Sequence, residues 1–326
     1  MKKSLFLIRL IISLSILGII IHSVGIKKIL VTLTSINPLV FLIAFPLYLI
    51  VISMGAFNIY LLLKELNKNI FIKDILKYTF ISWSLGLYAP GKMNEFSLAI
   101  FLKKQKMRIG KTTAAVIVDI LITIITLGLL GILGITRLIS KELISIKIAK
   151  DTILITGLTM ILLLLAVYFG FITQIGRKII KKYILKKYSK IFKSFNKSMK
   201  TILWQKKKIL INFFITFLKF LISSVITLAL FSSLGQKGIG LFWVLTMTSL
   251  IVLISTIPIT INGFGLRETS AVYLYSLINI KPEIVVSVYI LHTIIQYTIS
   301  MVTLLIFSKE IIDVKKSFLN IIRKKY

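Results

Sequence analysis

Six apolar runs, Leu5 to Val24, Pro38 to Leu63, Thr112 to Thr136, Thr152 to Ile175, Ile209 to Leu234 and Ile284 to Phe307, dominate this chain. Each approaches or exceeds the ~20 residues that a helix needs to cross the hydrocarbon of a bilayer. No single soluble core has room for so much apolar surface in 326 residues, of which 57% are hydrophobic. Lipid must therefore be the solvent, and the runs are expected to be helices. The first run has no small-residue cleavage site and carries Arg9 near its entrance, so it is expected to stay as a span rather than act as a signal peptide.

The net charge of +32 would suggest nucleic acid in a soluble protein, but here its position decides. Thirteen of the 42 basic residues lie between Arg177 and Lys208. There Ile180, Ile184, Tyr188, Ile191, Phe195, Met199 and Ile202 recur at gaps of four or three, one apolar stripe on a helix whose other faces are lysine. Such a helix lies on a membrane, where each lysine near anionic lipid is worth about 1 kcal/mol. Two roles stand for it: an ordinary cytoplasmic loop, or recognition of the anionic inner leaflet. Nucleic acid is not an expected partner. With this connector inside the cell, positive-inside counting puts thirty Lys and Arg on the cytoplasmic side and eight outside, with both termini cytoplasmic and the plasma membrane as the location. Arg9, Lys92, Lys219 and Arg267 fall within hydrophobic stretches. Lys219 is expected to snorkel to the cytoplasmic interface.

Two further apolar segments, 75–103 and 241–280, are broken. In the first, a limb ending at Tyr88 meets Ala89-Pro90-Gly91 and resumes at Lys92; in the second, Pro258 and the turn Asn262-Gly263-Phe264-Gly265 separate two short limbs. Proline removes a donor and glycine permits unusual backbone angles, so the chain is expected to reverse there. Re-entrant hairpins fit best, with tilted full spans as the competing reading. The fold class is then an all-α polytopic membrane protein. About six full spans and two re-entrant hairpins form an inverted-topology repeat: half one about 1–136, half two about 152–307, a basic connector at 177–208 and a basic tail at 309–326. Discontinuous helices at matching positions of inverted halves point to a transport site near the midplane. One membrane domain, 1–326, accounts for the whole chain.

Non-helical backbone at membrane depth is tolerated only against protein or a water-filled cavity, so both breaks should line a vestibule. Each also starts a helix, and helix N-termini present free N–H groups and partial positive charge. Pro90, Gly91, Lys92, Asn94 and Glu95 on one side, and Asn262, Gly263, Gly265, Arg267 and Glu268 on the other, are the candidate binding residues, with Lys92 and Arg267 suited to a phosphate. Glu95, Glu268 and Asp119 are candidates for proton coupling or for lining the cavity. The plainer reading makes each first-turn Glu a helix-start residue with a basic partner. Buried ionisable groups cost ~2.5–3.5 kcal/mol each on insertion scales, and two matching sets favour a site. Gln296 and Tyr297 on the last span are polar enough to line a cavity. With no cysteine, and with His22 and His292 each isolated in or near apolar helix, neither a metal nor a cofactor is expected, and each histidine is expected to be hydrogen-bonded within the fold.

Tyr88-Ala89-Pro90-Gly91-Lys92-Met93-Asn94-Glu95, together with Pro258 through Glu268, resembles the paired motifs of the flippase-like, lysylphosphatidylglycerol synthase transmembrane-region family. The likeness covers nearly the whole chain. It departs from the family pattern at Lys92, where Arg is usual, at Asn94, where a second Gly is common, and at Asp119, where an acidic-basic pair often opens the next helix. The resemblance implies a lipid translocator, more transporter than enzyme, without the soluble aminoacyl-transferring half. Its implied cargo is an anionic phospholipid or a polyprenyl-phosphate-linked lipid in cell-envelope biogenesis. Two alternatives stand beside it: a membrane-embedded polyprenyl-phosphate sugar transferase using Glu95 or Glu268 as base, or a scaffold for envelope-biosynthesis enzymes.

Overall fold

The computed structural model describes residues 3–88, 93–105, 107–144, 189–256 and 259–312, with the backbone alone for 3–6, 93–96, 104–105 and 189–190. All regular structure among them is helical: α1 (Lys3–Val24), α2 (Ile26–Thr34), α3 (Pro38–Lys64), α4 (Ile72–Gly86), α5 (Met93–Phe101), α6 (Ile109–Ser140), α7 (Ser189–Leu203), α8 (Lys206–Ser233), α9 (Leu241–Ser255), α10 (Leu266–Ser276) and α11 (Pro282–Ile306). Among the described residues, α1, α3, α6, α8 and α11 are long and apolar enough to cross a membrane. They match five of the six expected runs. The sixth, Thr152 to Ile175, lies outside the described residues, as do 177–188 of the connector and 313–326 of the tail.

The helix surfaces divide as lipid solvation requires. Leu7, Ile11, Leu42, Phe214, Leu218 and Leu305 are exposed, while Asn58, Asn212, Thr216 and Ser224 are fully buried. Lipid tails accept apolar side chains at no cost, so small and polar residues are left to join helices.

The central pair is α3 and α8, which run antiparallel. Asn37 caps α3 through its side-chain oxygen, which accepts from the Leu39 and Val40 N–H groups at 3.1 and 3.3 Å, and Pro38 takes the first helical position, where its missing donor costs nothing. The Asn37 N–H donates to Ser233 O at 2.7 Å, tying the start of α3 to the end of α8. At the opposite end Lys208 meets Glu65 at 2.8 Å. In between, Asn58 Nδ2 donates to Thr216 Oγ1 at 2.8 Å, and Asn212 Nδ2 donates to Asp119 Oδ1 on α6 at 3.1 Å.

α4–α5 opens at the Glu65 end, and α9–α10 opens at the Asn37 end. At the first, Lys111 Nζ donates to Leu66 O, so the chain re-emerges beside the point where it entered. At the second, the Arg137 guanidinium stacks over Phe242 and Trp243 at 4.8 and 5.2 Å, and Leu277 and Leu138 line one cavity. The limbs span 15, 9, 15 and 11 residues. At 1.5 Å per residue the longest is about 22 Å, short of a ~30 Å hydrocarbon core.

Two amphipathic helices complete the described structure. α7 buries Phe195, Met199 and Ile202 from the expected stripe and lies across the start of α6, where Gly110 meets the α7 backbone so closely that no Cβ fits. α2, which the runs did not foretell, buries Ile29 and packs on α11.

The α6–α9 contact depends on glycine. An added Cβ at Gly131 would sit 2.9 Å from Leu250 Cδ2, and at Gly134 2.8 Å from Thr246 Cβ, whereas Gly18 on α1 has nothing within 4 Å. Gly134→Leu is expected to cost about 1–3 kcal/mol as overpacking separates α6 from α9. Thermal unfolding in detergent checks this, with Gly18→Ala expected to melt like the parent.

Candidate functional site

The second break is built from three left-handed residues. Asn262, Gly263 and Gly265 have φ of 50°, 76° and 81°. Asparagine tolerates that region and glycine is at ease in it. Space demands glycine as well: a Cβ on Gly263 would lie 2.9 Å from Ser255 Cβ, and one on Gly265 2.9 Å from Ile16 Cβ. The turn is thus wedged between the end of α9 and the middle of α1. Ser13 on α1 supplies a polar partner, its Oγ accepting the Ile261 N–H at 2.9 Å.

α10 starts out of this turn. Glu268, at its third position, turns back so that Oε2 accepts the Gly265 N–H at 2.7 Å, the carboxylate half of a capping box. Its other oxygen accepts from Arg267 Nη2 at 2.7 Å and Nε at 3.1 Å. Arg267 Nη2 also donates to Thr293 Oγ1 on α11 at 2.8 Å, and the guanidinium lies 5.8 Å from the Phe264 ring centre and 5.6 Å from that of Tyr289. The Arg267 side chain is 13% exposed and that of Glu268 2%. One carboxylate therefore caps a helix and neutralises a buried cation. Arg267 Nη1 has no hydrogen-bond partner among the described residues.

α11 carries the cluster towards the first break. The Tyr297 hydroxyl donates to Leu87 O at 3.2 Å, and its ring meets Tyr88 edge-on at 5.3 Å and Phe264 at 6.2 Å. Tyr88 is the last described residue before the first break, and Phe264 lies within the second. One tyrosine thus touches both approaches. Deeper in, His292 bonds Tyr48 through Nδ1 and Thr227 through Nε2, as expected of a hydrogen-bonded histidine, and Gln296 donates to the Tyr48 hydroxyl at 3.1 Å.

Of the residues named from sequence, Asn262, Gly263, Gly265, Arg267 and Glu268 form this cluster. Pro90, Gly91 and Lys92 lie outside the described residues; Asn94 and Glu95 fall in the first turn of α5, without described side chains. Asp119 belongs to a second polar group: it accepts from Asn212 and lines a cavity between α3, α4, α6 and α8. Lys219 sits thirteen residues, about 20 Å, into α8, is half-buried and lines the same cavity.

Tyr48, Tyr289, His292 and Thr293 were not singled out as site residues. A signal for three of them existed: Tyr289, His292, Thr293, Gln296, Tyr297 and Ser300 recur at gaps of three and four, a polar face on an apolar helix. Tyr48 gave no such pattern.

A family model described as lysylphosphatidylglycerol synthase TM region matches residues 6–304. No curated protein gives a significant match to the chain.

Removing Glu268 alone would strand the Arg267 cation, at about 3–5 kcal/mol. Glu268→Ala is expected to unfold at lower temperature in detergent than the double variant Arg267→Met/Glu268→Met, which removes both charges; equal melting of the two would show that the pair is not coupled.

Proposed function

The chain belongs to the lysylphosphatidylglycerol synthase TM-region family, as an integral membrane protein, and from that premise we propose that it moves an anionic lipid between leaflets in the cell envelope. The cargo is an anionic phospholipid or a polyprenyl-phosphate-linked lipid, and its phosphate is held at Arg267, beside the second break. Arg267 carries the reading. It is a buried guanidinium at a helix start, with one carboxylate fixing its orientation and Nη1 without a hydrogen-bond partner among the described residues. A guanidinium is always charged and offers paired donors that match phosphate oxygens. Lys92, with Pro90, Gly91, Asn94 and Glu95, supplies the facing half in this proposal.

The helices are read as an inverted repeat. Exchanging α2 with α7, α3 with α8, α4 with α9, α5 with α10 and α6 with α11 carries one set of packed pairs onto the other: α3–α4 onto α8–α9, α5–α6 onto α10–α11, α4–α11 onto α9–α6, and α2–α11 onto α7–α6. The hairpins open at opposite ends, which supports the same reading. Broken helices of inverted repeats meeting at the midplane suit alternating access. Both termini and α7 are placed in the cytoplasm, α7 lying on the anionic inner leaflet of the plasma membrane. No nucleotide-binding motif is present in the sequence, so movement is facilitated, or coupled to protons through Glu95, Glu268 or Asp119.

In liposomes, purified protein is expected to move a labelled anionic phospholipid or polyprenyl phosphate, with Arg267→Gln slowing it about tenfold or more. Unchanged movement by the variant would overturn the role given to Arg267. Because the chain has no cysteine, single cysteines report orientation directly. Cysteines replacing Lys68, Lys103 or Ser194 are expected to label from the cytoplasmic side, and those replacing Ser140, Lys237 or Lys281 from outside.

A further inference from the structure

The cavity between α3, α4, α6 and α8 is separate from the Arg267 cluster in its residues and chemistry. It encloses about 260 Å³ and is walled mostly by apolar side chains, with four polar groups among them: Asp119, Lys219, Thr79 and Ser82. That is well above the ~30 Å³ share of a water molecule and at the lower edge of ligand pockets, a size for a headgroup rather than a whole lipid.

Its charges are opposite but unpaired. No ion pair joins Asp119 to Lys219. Among the described residues Asp119 Oδ1 accepts from Asn212 and Oδ2 has no donor, and Lys219 meets the Phe220 ring, 5.6 Å from its nitrogen. Two charges at this depth, each expensive to insert, would lower their cost by meeting, yet each stands at the wall.

The hydroxyls are unpaired too. Most serines and threonines of the long helices return their proton to the carbonyl one turn back, as Thr126 does to Ile122 and Ser224 to Phe220. Thr79 and Ser82 do not: both oxygens are buried without a partner among the described residues, and Ser82 is only 4% exposed. Buried polar atoms left unsatisfied cost about 1–3 kcal/mol each, so rotating either hydroxyl of these two cavity-lining residues onto a polar guest would recover that cost.

A guest complementary to this wall carries a cation for Asp119, an anion for Lys219 and oxygens for the hydroxyls. We propose that the cavity binds a zwitterionic group, an ammonium and a phosphate on one short linker, as in an ethanolamine phosphate headgroup. The ammonium pairs with Asp119 Oδ2. The phosphate pairs with Lys219 and accepts from Thr79 and Ser82. Gly55 on α3 leaves the room, since a Cβ there meets nothing within 4 Å. The inference concerns binding and does not depend on lipid movement at Arg267.

Trp83 lines the cavity and serves as reporter once Trp204 and Trp243 are replaced by Phe. The full chain, delipidated in detergent, is titrated with dihexanoyl phosphatidylethanolamine, dihexanoyl phosphatidylglycerol and free phosphoethanolamine. The ethanolamine lipid is expected to shift Trp83 emission and to bind about tenfold tighter than the glycerol lipid. Asp119→Asn is expected to erase that preference, Lys219→Gln to weaken both lipids, and Gly55→Leu to abolish the response by filling the space. Phosphoethanolamine binding as well as the lipid assigns the site to a soluble zwitterion; binding only of the chain-bearing form assigns it to a headgroup. Equal affinity for the two lipids in the parent protein, a preference surviving Asp119→Asn, or a response surviving Gly55→Leu overturns the proposal. Should Asp119→Asn fail to fold, as its melting curve would show, Gly55→Leu and Lys219→Gln decide it. Arg267→Gln is expected to keep the Trp83 response, so loss of lipid movement and loss of this site are read separately.

Discussion

A peptide group inside hydrocarbon has no water to turn to, so wherever the helix stops, protein must take over its hydrogen bonds. The turn between α9 and α10 meets that demand with very few residues. Ser13 from α1 takes the Ile261 N–H, Glu268 takes the Gly265 N–H, and the glycines let two backbones approach where a Cβ would collide. The position of Arg267 follows from this repair. Its partner is the carboxylate already committed to the helix start, and that carboxylate, Thr293 and two aromatic rings fix the guanidinium.

The same demand explains why buried polar residues pair across helices inside the apolar core. In water, the leucines of α1 and α11 would be driven together; in lipid they gain nothing by meeting and stay on the outside. Asn58, Asn212, Thr216 and Asp119 across α3, α6 and α8, and Tyr48, Thr227, His292 and Gln296 across α3, α8 and α11, are two polar networks on opposite flanks of the α3–α8 pair. Interhelical bonds of this kind average only ~0.6 kcal/mol in membranes, so their weight lies in fixing register and in placing charge. One flank holds an ion pair closed on itself; the other holds an acid and a base apart.

Much of the fold was legible because the span length and the charge bias are one-dimensional. Pro38 to Leu63 became α3 and Ile209 to Leu234 became α8 within a few residues, since length and hydropathy alone decide whether a segment crosses. The turn at Asn262 to Gly265 was legible for a different reason: positive φ has a narrow residue vocabulary. α2 escaped because nine residues, two of them lysine, resemble a loop until α11 gives Ile29 something to pack against. The cavity beside Lys219 escaped because nothing in its neighbours along the chain reveals it.

By itself, then, the sequence determined that the chain lives in lipid, where its long apolar helices run, and which residues must stand at the second break, because each of these follows from local length, hydropathy and backbone angle. Only the tertiary structure decided that Arg267 is joined to Glu268 and Thr293 and not to Asp119, that Tyr297 touches both Tyr88 and Phe264, and that Asp119 and Lys219, a hundred residues apart, share one cavity. The reason is physical. A charge in hydrocarbon is stabilised by whatever lies within a few ångströms, and that neighbourhood is made by packing helices distant in sequence.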